Sequence, residues 1–294
     1  EGLEGLDAIN ASGATGIGLF RTEFLFMNRD EPPTEEEQFL AYKKVAQTMK
    51  KMPVIIRTLD LGADKQANLS SSSLTDSALG LRAVRLCLTE PHIFHTQFRA
   101  ILRASHYGNL KILIPMLTSL AELRQTKLLL ARAKLSLQKD NIPFNKKIAL
   151  GGMIEVPAAA INAKAFAREL DFLSIGTNDL TQYTLAVDRT DSTVAHLYNA
   201  AHPSVLRLIS NTISAGAKLG KAVSVCGEIA GDTRLTKLLL GMGLRQFSMH
   251  PSQVLIVKHS ILQSNLNKVT KAANRILKID DAEKIELQLK KINY

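Results

Sequence analysis

The sequence predicts an α/β protein built on parallel strands, and two observations carry that prediction. Seven short runs are apolar almost throughout, at 15–20, 54–58, 111–115, 148–154, 172–176, 222–226 and 246–249. Nearly all of the intervals between them hold an amphipathic, helix-like stretch, which is the spacing that parallel crossovers require. Strands without polar alternation are buried on both faces, as parallel strands covered by helices are.

The helices announce themselves in turn. Segment 34–50 opens on Thr34, follows with Glu35, Glu36 and Glu37, and runs out into Lys50 and Lys51, the charge order a helix dipole favours. Segment 119–139 carries Leu120, Leu123, Leu128, Leu130, Leu135 and Leu137. That spread around the helix predicts burial on more than one side. Segments 204–219 and 234–240 repeat the scheme. Two stretches interrupt it, a Ser-rich loop at 68–77 and a polar connector at 139–147 that contains Pro143. Seven strands stand one short of a closed eight-stranded barrel, and the opening segment 4–12 reads as a helix that should follow a strand in a βα unit.

Composition narrows the class. The chain has 294 residues, of which 46% are hydrophobic and 22% charged, and these values exclude disorder, collagen-like repetition and a disulfide scaffold. Its formal charge of +10 is spread along the chain without a stripe or an interleaved aromatic patch, which argues against a nucleic-acid footprint. Two cysteines, Cys87 and Cys226, point to a reducing compartment. No run approaches the roughly 18 apolar residues of a membrane span, and Glu1, Glu4 and Asp7 are acidic where a signal peptide is basic, so a cytoplasmic location is expected. Cys87, within an apolar run, reads as a small buried hydrophobe.

In a parallel α/β protein the chemistry gathers where strands end. Arg21-Thr22-Glu23 follows the first strand. Arg57-Thr58-Leu59-Asp60 ends the second, with Lys65 beyond it and Arg82 and Arg85 past the Ser-rich loop. Glu155 follows the fourth strand, Thr177-Asn178-Asp179 and then Arg189 the fifth, and Cys226-Gly227-Glu228 the sixth. Arginines and a lysine gathered at one face suit a small polyanion, because guanidinium groups grip carboxylate and phosphate bidentately. Glu155 and Asp179 are hard oxygen donors suited to Mg²⁺, which takes one or two carboxylates and fills its remaining sites with water and substrate phosphate. The ligand implied is a phosphorylated carboxylate with Mg²⁺. His196, His202 and His250 lack a zinc-ligand spacing, and no nucleophile elbow or phosphate-binding glycine loop is present.

These motifs carry a family resemblance. Gly16-Ile17-Gly18-Leu19-Phe20-Arg21-Thr22-Glu23-Phe24-Leu25-Phe26, the stretch from Arg57 to Lys65, the run from Asp171 to Arg189 and Cys226-Gly227-Glu228-Ile229-Ala230-Gly231-Asp232 resemble the phosphoenolpyruvate-binding domain of Enzyme I of the bacterial phosphotransferase system. The resemblance covers residues 5–262. It implies a TIM-type (β/α)8 barrel lacking its first strand, over 1–262; the lysine-bearing segment 263–294 reads as a helical, solvated tail. It further implies that Arg21, Arg57, Lys65, Arg82 and Arg189, with Asn178, hold phosphoenolpyruvate, and that Glu155 and Asp179 ligate Mg²⁺. Arg189 and Cys226 are then catalytic, Cys226 delivering the proton that turns the enolate into pyruvate.

The phosphoryl group passes, in that family, to a histidine on an N-terminal domain that this sequence lacks, and then to a histidine-containing phosphocarrier protein; a homodimer is also implied. The runs Val223-Ser224-Val225-Cys226 and Ser248-Met249-His250-Pro251-Ser252 are similar to the nitrogen-related branch of the family. Pyruvate phosphate dikinase and phosphoenolpyruvate synthase, which share the barrel, are alternatives, as is a truncated sensor or dimerisation module. The approach to Arg82, Asp76-Ser77-Ala78-Leu79-Gly80-Leu81, departs from the family pattern.

Overall fold

A computed structural model describes residues 5–61 and 78–293, which fall into two compact units, 1–152 and 153–294. Lys65 and the Ser-rich loop lie outside the described residues.

Unit 1 begins with the short helix α1 (Leu6–Ala11), then β1 (Ile17–Phe20), α2 (Glu35–Met49) and β2 (Val54–Arg57). Helices α3 (Val84–Thr89) and α4 (Pro91–Ala104) lead to β3 (Leu110–Ile114), and α5 (Leu120–Lys139) leads to β4 (Ala149–Ile154), in which the unit boundary falls. β2 pairs with β1 on one side and β3 on the other, and β3 with the first part of β4, all in parallel. Both long helices start as their sequences demand. Thr34 and Ser119 each accept a hydrogen bond from the backbone of the glutamate three residues on, Glu37 and Glu122, whose carboxylates bond back to close a capping box.

Unit 2 continues with α6 (Pro157–Ile161), α7 (Ala163–Glu169), β5 (Phe172–Gly176), α8 (Thr177–Leu185), α9 (Pro203–Lys218) and β6 (Ala222–Cys226). Then follow α10 (Glu228–Gly231), α11 (Thr233–Gly241), β7 (Gln246–Phe247), α12 (Val254–Leu262), α13 (Leu266–Ile276) and α14 (Ala282–Asn293). β6 pairs in parallel with β5 and β7. Parallel strands taken in chain order, with helical crossovers between them, make the fold class α/β of the TIM-barrel type. No helix among the described residues is long and apolar enough to cross a membrane.

Two expectations are corrected. Leu123, Leu130 and Leu137 of α5 are buried, but Leu128 and Leu135 are 63% and 64% exposed, so the helix buries a single face. The buried leucines recur every seven residues with Thr126 and Ala133 between them, and the exposed pair lies on the other side. The tail is helical but not free in solvent. Val269, Ala273 and Ile276 of α13 and Ile285 and Leu289 of α14 are buried, and both helices pack on α11. At Gly241 a Cβ would stand 2.3 Å from the Val269 carbonyl oxygen, so α13 lies directly against α11 backbone. The tail lysines remain on the exposed side. Cys87 is wholly buried in α3, as expected of a small hydrophobe, and burial pushes its thiol up.

Candidate active site

Unit 1 concentrates its charge where β1 and β2 end. Arg57, the last residue of β2, places Nη1 2.7 Å from Asp60 Oδ2 and Nη2 3.1 Å from Glu23 Oε1. Asp60 also receives Arg82 in a two-pronged contact, Nε at 2.9 Å from Oδ1 and Nη2 at 3.2 Å from Oδ2. The Asp60 backbone N–H donates to Glu23 Oε1 at 3.1 Å. Asp60 is only 5% exposed. Burial alone would raise its carboxyl, but the guanidiniums of Arg57, Arg82 and Arg21 outweigh that and hold it below the ordinary carboxylate value. The structure therefore brings Arg21, Arg57 and Arg82 together despite the altered approach to Arg82. Arg85 faces elsewhere, 3.8 Å from Glu122.

Behind the cluster stands a residue that sequence reasoning missed. Gln97, on α4 and wholly buried, accepts a hydrogen bond from the Leu59 N–H at 2.9 Å and donates to Thr22 Oγ1 and the Tyr42 hydroxyl, both at 3.2 Å. Thr22 Oγ1 donates in turn to the Arg57 carbonyl at 3.0 Å. One side chain thus ties together the turns after β1 and β2. The signal was present in Phe94, Gln97, Phe98 and Ile101, where a lone amide sits in an apolar stripe at helical spacing.

Unit 2 arranges a different set. Glu155, just past β4, is 1% exposed. Its carboxylate rests against Gly176 at the end of β5, where a Cβ would come within 2.6 Å of Glu155 Oε2, so only glycine leaves it room. Asn178 and Asp179 occupy the first turn of α8. Asn178 Oδ1 accepts from the Glu228 N–H at 3.1 Å, and Thr177 Oγ1 donates to the Cys226 carbonyl at 2.9 Å. Gly227, at φ +95°, makes that closeness possible, since a Cβ there would meet Thr177 Oγ1 at 2.6 Å and Asn178 Oδ1 at 2.7 Å. Arg189 reaches Glu228 Oε1 at 3.5 Å, and the Asn178 amide reaches the same oxygen at 3.4 Å. The Cys226 sulfur ends β6, 2% exposed.

Two carboxylates in hard-oxygen form, one of them cradled against a glycine, suit Mg²⁺, and no larger group of His, Cys, Asp and Glu that could hold a metal occurs among the described residues. His202 and His250 instead cap turns, accepting from the backbone of Ser204 and Ser252.

The strand order and helical crossovers define an α/β domain of the TIM-barrel class. Among solved structures it is similar to a malate synthase from Haloferax volcanii, a pyruvate/acetyl-CoA ternary complex, at TM-score 0.55 and 15% identity over 87% of this chain and 65% of that one. It is also similar to an aldolase/citrate lyase family protein from Burkholderia cenocepacia, at TM-score 0.51 and 15% identity over 87% and 88% of the two chains. Both likenesses concern the fold.

The sequence is more specific. Residues 3–266 match the family described as PEP-utilising enzyme, PEP-binding domain, PEP being phosphoenolpyruvate, and the chain belongs to that family. Relatives named phosphoenolpyruvate-protein phosphotransferase include those of Cupriavidus necator, 48% identical over 99% of this chain and 50% of that protein, and of Haemophilus influenzae, 47% identical over 95% and 49%. The chain spans about half the length of these relatives.

Proposed function

We propose that this chain is the phosphoenolpyruvate-binding part of a phosphoenolpyruvate-protein phosphotransferase. The observation that supports the reading most is the buried Asp60, which holds the Arg57 and Arg82 forks in place beside Arg21. Such forks match the planar oxygens of carboxylate and phosphate, and their fixed orientation removes part of the ordering cost of binding. By resemblance to the family, Arg21, Arg57, Lys65, Arg82, Arg189 and Asn178 are the residues assigned to phosphoenolpyruvate.

Glu155 and Asp179 are the residues that would hold Mg²⁺. What the ion supplies when bound is positive charge against the negative charge that develops on the substrate oxygens. In the reaction the bond from phosphorus to the enol oxygen breaks and a phosphorus–nitrogen bond forms to a histidine outside this sequence, as the first step of a phosphotransferase system. Cys226 gives its proton to the methylene carbon of the resulting enolate, and pyruvate leaves. A histidine-containing phosphocarrier protein is the onward acceptor, the chain pairs as a homodimer, and it works in the cytoplasm. Residues 1–262 are read as the ligand-binding domain, and 263–294 brace α11.

Thermal melting with and without phosphoenolpyruvate and Mg²⁺ tests the reading. A ligand at about 100 times its dissociation constant adds about 2.7 kcal/mol to stability, which raises the midpoint by several degrees. A cooperative melt that does not move with ligand counts against it. Light scattering checks the dimer, a monomer at micromolar concentration being the contrary result.

A further inference from the structure

Two hydroxyls lie in β5 and β6, strands that are otherwise apolar. Ser174, in β5, is wholly buried, and Ser224, in β6, is 4% exposed. The register sets Ser174 opposite Ser224 and Gly176 opposite Cys226. Ser224 and Cys226 are two residues apart in one strand, so their side chains share a face. A buried hydroxyl without a partner costs about 1–3 kcal/mol, and these two are partnered with each other and with the thiol. Ser224 Oγ donates to Ser174 Oγ at 3.1 Å, and Ser174 Oγ donates to Cys226 Sγ at 3.6 Å. The thiol donates to the Ile175 carbonyl at 3.4 Å.

These contacts to sulfur pull in opposite directions. The Ile175 carbonyl accepts the S–H and so favours the protonated thiol. A hydroxyl that donates to sulfur favours the thiolate, because hydrogen bonds to an ionised acceptor are about twice as strong as neutral ones. The geometry points to Ser174, backed by Ser224, as a positioning residue that aims the Cys226 thiol and stabilises the thiolate it leaves on giving up its proton. This rests on the reading of Cys226 as the acid of the reaction. In that step the S–H bond breaks and its electron pair stays on sulfur. The π pair of the enolate forms the new C–H bond of the pyruvate methyl group. Ser174 keeps its own proton, and water returns one to the sulfur before the next cycle.

Two measurements on the described chain test the inference, in a Cys87→Ala background that leaves one thiol. The Raman S–H stretching band reports the hydrogen bonding of Cys226 without any turnover. Exchange of the pyruvate methyl hydrogens for deuterium, followed by proton NMR with Mg²⁺ present, reports proton transfer between thiol and carbon.

Ser174→Ala is expected to shift the band and slow exchange about tenfold or more at saturating pyruvate, with little change in the pyruvate concentration at half-rate. Ser174→Thr, which keeps the hydroxyl, restores most of both signals. Ser224→Ala moves both in the same direction by less, and serves as the second probe should Ser174→Ala fold poorly. An unmoved band overturns the inference, as does a moved band with wild-type exchange in a protein whose exchange Cys226→Ala abolishes. Exchange that survives Cys226→Ala overturns it differently, by showing that another group is the acid.

Discussion

The charged cluster of unit 1 and the polar cluster of unit 2 are held by opposite means. In unit 1 the arginines are locked by carboxylates, in contacts of 2.7 to 3.2 Å to Asp60 and Glu23, with Gln97 fixing the backbone beneath. In unit 2 the local order comes from glycines that admit close approach and from neutral hydrogen bonds. The ion pair between Arg189 and Glu228 is long at 3.5 Å and joins side chains 38% and 76% exposed. On the proposed function, cations that grip an anion are useful when already aimed, whereas residues proposed to meet a metal and a reacting carbon depend on spacing. The first cluster should therefore be sensitive to charge and the second to volume.

The sharpest way to break the contrast is Asp60→Asn. It leaves Arg57 and Arg82 without their shared counter-charge in a site that is 5% exposed at the aspartate. Removing one partner of a buried ion pair costs about 3–5 kcal/mol, so a clear fall in the urea midpoint is expected together with loss of phosphoenolpyruvate binding. The same residue predicts a pH effect. Its folded-state carboxyl lies below the ordinary value of 3.8, so the unfolded chain binds the proton first. The stabilisation is complete above that value and disappears as pH falls through the lower folded one. Acid titration of the wild type should show this loss, and Asp60→Asn should flatten it.

Next in size stands Gly176→Ala, which keeps every charge and adds one methyl 2.6 Å from Glu155 Oε2. Overpacking of this kind costs about 1–3 kcal/mol. Its signature should be a loss of the Mg²⁺-dependent part of ligand stabilisation, read by melting with and without the ion. Gln97→Leu strands the Leu59 N–H and should cost a similar or smaller amount, about 1–3 kcal/mol in urea unfolding, with weaker ligand binding from unit 1. Smallest is Glu228→Gln, whose stability effect should stay below about 1 kcal/mol because both partners are solvated. A Glu228 effect as large as that of Asp60 would erase the distinction between the two regions.

Much of this was legible in the sequence, for physical reasons. Strands buried on both faces are written as apolar runs, so β5 and β6 fall within the very limits expected, 172–176 and 222–226. Capping boxes are local, so Thr34 and Ser119 mark their helices. The long-range terms were harder to read. Leucine in α5 does not declare which side of a helix faces the core, and Leu128 and Leu135 point outward. The tail's lysines drew attention from Val269, Ala273 and Ile276, which recur along one face. Of the site, the arginines and carboxylates were visible at strand ends. Apart from the neighbouring Arg57, the partners that give Asp60, Gln97 and Ser174 their roles lie 22 to 75 residues away, and no local pattern encodes such a meeting: Asp60 and Arg82 are 22 apart, Gln97 and Thr22 are 75 apart, and Ser174 and Cys226 are 52 apart.

The close seating of α13 on Gly241 bears on how the protein is handled. A fragment cut after Leu262 would keep the candidate site residues but uncover the side of α11 that α13 and α14 shield, while shedding the tail's net positive charge. Bare apolar surface with less charge to keep molecules apart favours self-association, so such a shortened form is expected to precipitate during expression where the longer chain stays dispersed.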